Sequence, residues 1–160
     1  MTHALVLLMA LLIGVVAGLR SITAPAVVAW AAHLGWINLH GTWASWMANI
    51  ITVVVLTVLA VGELIADKLP KIPPRVTVPS FATRLVMGGF AGAVVGAAWH
   101  YTFSSLGAGI VGAVIGTLAG FHARRLAAVH NYGPDLPIAL LEDAIAILGG
   151  FAVLAATASL

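Results

Sequence analysis

The sequence predicts an all-α, polytopic membrane helix bundle, and three observations carry that expectation. Hydrophobic residues make up 62% of the 160-residue chain and charged residues only 8%, with a mean hydropathy of +1.12, far from the balance of a soluble domain. Apolar windows of roughly 20 residues, the length that crosses about 30 Å of hydrocarbon, recur at Ala4–Leu19, Trp46–Ala66, Phe81–Phe103, Ala108–Ala128 and Pro137–Leu160. None of them alternates apolar with polar residues as the strands of an outer-membrane barrel do. Five spans in one integral membrane domain over residues 1–160 are therefore expected.

The first window, "MTHALVLLMALLIGVV", has no Lys or Arg ahead of it; it lacks the basic region of a cleaved signal peptide and reads as a retained helix. Cysteine is absent, which excludes disulfides, a thiolate nucleophile and cysteine-bound metal. The net charge of +2 is small, and six of the seven basic residues sit in two short connections, a pattern of membrane topology and not of nucleic-acid binding. Lys68, Lys71, Arg75 and Arg84 flank or fill "DKLPKIPPRVTVPSFATR", and Arg124 and Arg125 precede "HNYGPDLP". These connections follow the second and fourth spans, so they share a side, which the positive-inside rule makes cytoplasmic. Trp30, Trp36, Trp43, Trp46 and Trp99 fall at the opposite interface, as an aromatic belt does. With five crossings the N-terminus is expected in the cytoplasm of a bacterial inner membrane.

The stretch "RSITAPAVVAWAAHLGW" resists that scheme, because the apolar residues after Pro25 are too few to cross a bilayer. It reads either as a broken or re-entrant helix near Ser21–Pro25 or as one long helix kinked at Pro25. A weak internal match, "GVVAGLR" at 14–20 against "GTLAGFH" at 116–122, suggests an inverted repeat of the kind transporters use. Gly88, Gly92 and Gly96 in the third span and Gly112, Gly116 and Gly120 in the fourth recur every four residues. Such rows let backbones approach closely, and two of them suggest a homo-oligomer, a dimer in the simplest case.

The chemistry concentrates in one layer. Glu63 lies inside an otherwise uncharged span, and Asp67 follows it by four residues, on the same helix face. Glu142 and Asp143 lie at a comparable depth in the fifth span, with Arg84 and Arg124 opening and closing the third and fourth. An ionisable group within a bilayer faces the bundle interior or water, and it marks a functional site with a partner to be named. Arg84 and Arg124 are the expected partners of Glu63, with Glu142 across the bundle.

The elements "GLRSITAPA" (18–26), "GELIADKLPK" (62–71) and "LLEDAIA" (140–146) together resemble a bacterial integral-membrane family catalogued as domain of unknown function four-one-two-six. The resemblance implies a small multi-pass protein without an established activity, and it picks out Arg20, Glu63, Asp67, Lys68, Glu142 and Asp143. Arg20, Glu63, Asp67, Arg84, Arg124, Glu142 and Asp143 form the candidate ion- or substrate-binding set. No catalytic residue and no cofactor is indicated, and the sequence does not say whether a metal binds. The reading is a transporter or channel for an ion or small solute. Two alternatives stand beside it: a membrane scaffold, and a metal-dependent enzyme acting on lipid head groups, which lacks any HExxH or GxSxG motif.

Overall fold

The computed structural model describes residues 2–66, 78–130 and 136–159. They form α1 (His3–Leu19), α2 (Thr23–His33), a 3₁₀ turn (Ser45–Ala48), α3 (Ile50–Ala66), α4 (Val78–Ala97), α5 (Thr102–His130) and α6 (Leu136–Ser159). There is no strand among the described residues. Each of the five apolar windows is a helix, and α4, α5 and α6 are long and apolar enough to cross a membrane. At 17 residues, α1 and α3 are at the short limit of a spanning helix.

Glycine builds the core of α1, α4 and α5. A Cβ on Gly109 would strike the Gly88 carbonyl, one on Gly112 the Leu11 carbonyl, and one on Gly116 the Val15 carbonyl. On Gly92 it would lie 2.5 Å from the Ser105 carbonyl oxygen. Both glycine rows thus lie against helices of the same chain, where backbones meet without side chains between them. One row seats α4 on α5, and the other seats α1 on α5.

Helix direction departs from the five-crossing scheme. His3 Nε2 lies 3.1 Å from Ser104 Oγ, and its ring is 4.3 Å from that of Tyr101; at the other end of α1, Thr117 Oγ1 donates to the Gly18 carbonyl at 3.4 Å. Thus α1 and α5 run parallel, so the "GVVAGLR" and "GTLAGFH" segments point in the same direction and form no inverted repeat. The reason is α2. After the break at Arg20–Ile22 the chain reverses: Ser21 and Ile22 meet Glu63, Trp30 Nε1 donates to Thr57 Oγ1 at 2.9 Å, and His33 reaches the Ala48 carbonyl. This additional pass means that His3 starts at the tryptophan end, opposite the ends of α3 and α4 that the 67–77 connection joins. His3 thus lies at the end of the bundle where α4 turns into α5.

The break is sharper than the sequence suggested. Arg20 is extended (φ −143°, ψ 109°), α2 begins at Thr23, and Pro25 falls in the first turn of α2, where its missing N–H needs no helical partner. At the far end Ala98–Tyr101 turns α4 into α5 within four residues, with His100 in the left-handed region (φ 64°), so the connection comes earlier in the chain than the one expected between Phe103 and Ala108. The 34–49 segment folds over this end with Ile37, Leu39, Ala44 and Met47 buried. Trp43 and Trp46 pack on Phe90, and Trp36 packs on Phe151.

Two outcomes follow from this architecture. In the cysteine-free chain, Thr2→Cys and His40→Cys label with a membrane-impermeant thiol reagent from one face and Arg125→Cys from the other; labelling of Thr2→Cys and Arg125→Cys from the same face contradicts the helix directions. Gly109→Ala lowers stability by about 2 kcal/mol, as overpacking does. Gly107→Ala, where a Cβ meets nothing within 4 Å, is neutral or stabilising, by up to about 1 kcal/mol; thermal unfolding in detergent reads both.

Candidate functional site

A helix interrupted inside a bundle exposes carbonyls at the end of one piece and N–H groups at the start of the next, and with no water in hydrocarbon each must find a protein partner. At the end of α1 the Gly18 carbonyl accepts from Arg84 Nη1 at 2.6 Å and from Thr117 Oγ1. At the start of α2, whose cap residue Ile22 has no capping side chain, a carboxylate from another helix takes that role. Glu63 Oε1 accepts from the Ser21 N–H at 2.9 Å and from Ser21 Oγ at 2.7 Å, and Oε2 accepts from the Ile22 N–H at 2.8 Å. The cation lies at the negative end of one helix dipole and the anion at the positive end of the other.

Two ion pairs complete the layer. Arg20, on the break itself and wholly buried, donates from Nε to Asp143 Oδ1 at 2.6 Å and pairs with the same oxygen through Nη2. Arg124 on α5 donates from Nε to Glu142 Oε2 at 2.8 Å. Adjacent acids on α6 therefore serve different elements, Asp143 the break and Glu142 α5. Among the described residues the layer contains three guanidiniums and three carboxylates. It is also recessed: Arg84 and Asp143 come six and seven residues after the first residues of α4 and α6, about 9–10 Å in from those helix ends.

Of the seven expected site residues the structure brings six together: Arg20, Glu63, Arg84, Arg124, Glu142 and Asp143. Asp67 lies outside the described residues. The expected partnerships are partly reassigned, because the arginine opposite Glu142 is Arg124, while Glu63 is held by the backbone and hydroxyl of Ser21 and by Ile22. Residue types alone did not single out Ser21, Ile22, the Gly18 carbonyl or Thr117. The available signal was Pro25, which suits the first turn of a helix and so places a helix start just before it.

Among the described residues no three His, Asp or Glu side chains converge as a metal site. The chain matches no family model, no curated protein and no solved structure.

Arg20→Met leaves Asp143 buried without its guanidinium and costs about 3–5 kcal/mol, the loss typical of breaking a buried pair from one side. The double variant Arg20→Met/Asp143→Leu recovers at least half of that. A thermal-unfolding double-mutant cycle measures the coupling, and additive losses would show that the pair contributes nothing as a pair.

Proposed function

We propose that the protein is a small transporter or channel of a bacterial inner membrane, moving an ion or small solute through the charged layer with proton exchange at Glu63. One observation carries the reading: a helix is broken at bundle depth, and ionisable side chains from the break, α3, α4, α5 and α6 converge on it. Discontinuous helices with their ends turned toward charge are the recurrent way transporters build a binding site within a membrane, and intramembrane ionisable groups mark ion and proton paths. The family resemblance carried by the Gly-Leu-Arg, Glu-x-x-x-Asp-Lys-x-Pro and Glu-Asp elements belongs to the same reading. On the positive-inside rule the charged end faces the cytoplasm, with His3 and Ser159 at the outer side. A homo-oligomer remains part of the proposal, with its contact elsewhere than the glycine rows.

The pairing of Arg20 with Asp143 and of Arg124 with Glu142 favours a second reading, a membrane scaffold in which these groups fix helix register alone. Proteoliposomes containing a pH-sensitive dye separate the two. For a transporter, an imposed proton gradient decays faster than in protein-free liposomes, and Glu63→Gln, which keeps shape and removes charge, returns the rate to background while the purified variant keeps its elution volume. For a scaffold, the wild type does not differ from protein-free liposomes, and Glu63→Gln lowers only the melting temperature.

A further inference from the structure

Helix α3 is attached in two parts that respond differently to protons. At its last turn Glu63 accepts from the Ser21 N–H and hydroxyl and from the Ile22 N–H. Earlier in the helix Thr57 Oγ1 accepts from Trp30 Nε1 and Thr52 donates to the Trp46 carbonyl, bonds between groups that do not titrate. Of the 17 residues of α3, Val53 and Ala60 are buried, so the packed part of the helix also ends before Glu63. Gly62 stands between the two parts. A Cβ there would meet nothing within 4 Å, so close packing does not account for the glycine, and glycine inside a helix lowers the cost of leaving helical geometry. The surface that this last turn closes on is fixed by comparison: nine of the 11 residues of α2 are buried, and α1, α4 and α5 meet backbone to backbone.

We propose that the last turn of α3 is a proton-operated latch hinged at Gly62: with Glu63 ionised it closes on the α1–α2 break, and with Glu63 protonated it swings away and opens the break to water at that end of the bundle. The inference rests on the transport reading and names how its charged site is gated. Hydrogen bonding supplies the trigger. All three partners of Glu63 are donors, which suits an ionised carboxylate, whereas a protonated one brings a further donor among them. The bonds also lose the charge that makes them roughly twice as strong as neutral ones. A proton held better by the open form shifts the population toward it. The other ionisable side chains that the described elements bring to this layer are Arg20 on the break, Arg84 on α4, Arg124 on α5 and Glu142 and Asp143 on α6. Helix α2 has only His33, at its far end, and the 3₁₀ turn has none.

Spin labels on the cysteine-free full chain read the latch, at exposed positions of α3 and of the glycine-packed α5. With labels on Ile65→Cys and Leu118→Cys, double electron–electron resonance should give a longer distance at acid pH than at neutral pH. With labels on Val58→Cys and Leu118→Cys, where the α3 label precedes the hinge, the distance should stay the same. Adding Glu63→Gln should give the longer Ile65 distance already at neutral pH and no further change on acidification, which assigns the response to Glu63 and not to Asp67, Glu142 or Asp143. Adding Gly62→Ala should lower the ratio of open to closed form at acid pH about threefold, the equivalent of one helical Gly-to-Ala change. An Ile65 distance that does not change with pH in the otherwise wild-type chain, or equal lengthening of both pairs, overturns the latch even if Glu63→Gln does not fold. So does a folded Glu63→Gln that keeps the wild-type pH response, or a Gly62→Ala that opens as far as the wild type. Opening without proton flux in proteoliposomes leaves the latch standing and removes the transport reading; flux with an unchanged Ile65 distance does the reverse.

Discussion

A polypeptide cannot interrupt a helix within a membrane protein's interior without giving the freed backbone groups new partners, and the break at Arg20–Ile22 organises the rest of this molecule through that requirement. Charged groups meet it better than neutral ones, because a low dielectric strengthens their hydrogen bonds. Glu63 supplies the anion for the start of α2, and Arg84 supplies the cation for the end of α1. Each contact also sets the depth of the helix that carries it. Arg20, unable to reach water from a buried position, needs a counter-charge in turn; Asp143 provides it and so positions α6, while the neighbouring Glu142 joins α6 to α5 through Arg124. A carboxylate in an apolar span is thus the consequence of a backbone break elsewhere in the chain.

Two kinds of cohesion divide the bundle. Helices α1, α4 and α5 are joined by glycine contacts so close that no side chain fits between the backbones, and dispersion over many atom pairs holds them together. Among the described residues, helix α3 packs mainly against α2 and the 3₁₀ turn, fastened by Glu63 at one end, by Trp30 and Thr57 in the middle and by the bond from Thr52 to the Trp46 carbonyl at the other. Few packed neighbours and a small number of polar fasteners are the marks of an element with a low local opening cost.

What the sequence alone determined was everything that depends on composition and local spacing. Hydropathy placed five helices because a bilayer sets both their length and their polarity, and the costliness of intramembrane charge picked out Glu63, Asp67, Arg84, Arg124, Glu142 and Asp143, with Arg20 added by the resemblance of "GLRSITAPA", before any of them had a position. Glycine spacing likewise showed that close helix contacts exist. It did not show which partners make them, since a glycine face has no side chain to encode a mate, and both rows turned out to lie within the chain. Which end His3 occupies also depended on tertiary structure: an 11-residue helix is too short for a hydropathy window to count, yet its return pass reverses the parity of all that precedes it. The partners of Glu63 escaped for a related reason, being chiefly main-chain N–H groups, which every residue but proline possesses and which become distinctive only when a fold leaves them unpaired. Only the packing of α2 against α3 decided that this carboxylate would face a helix N-terminus and not an arginine.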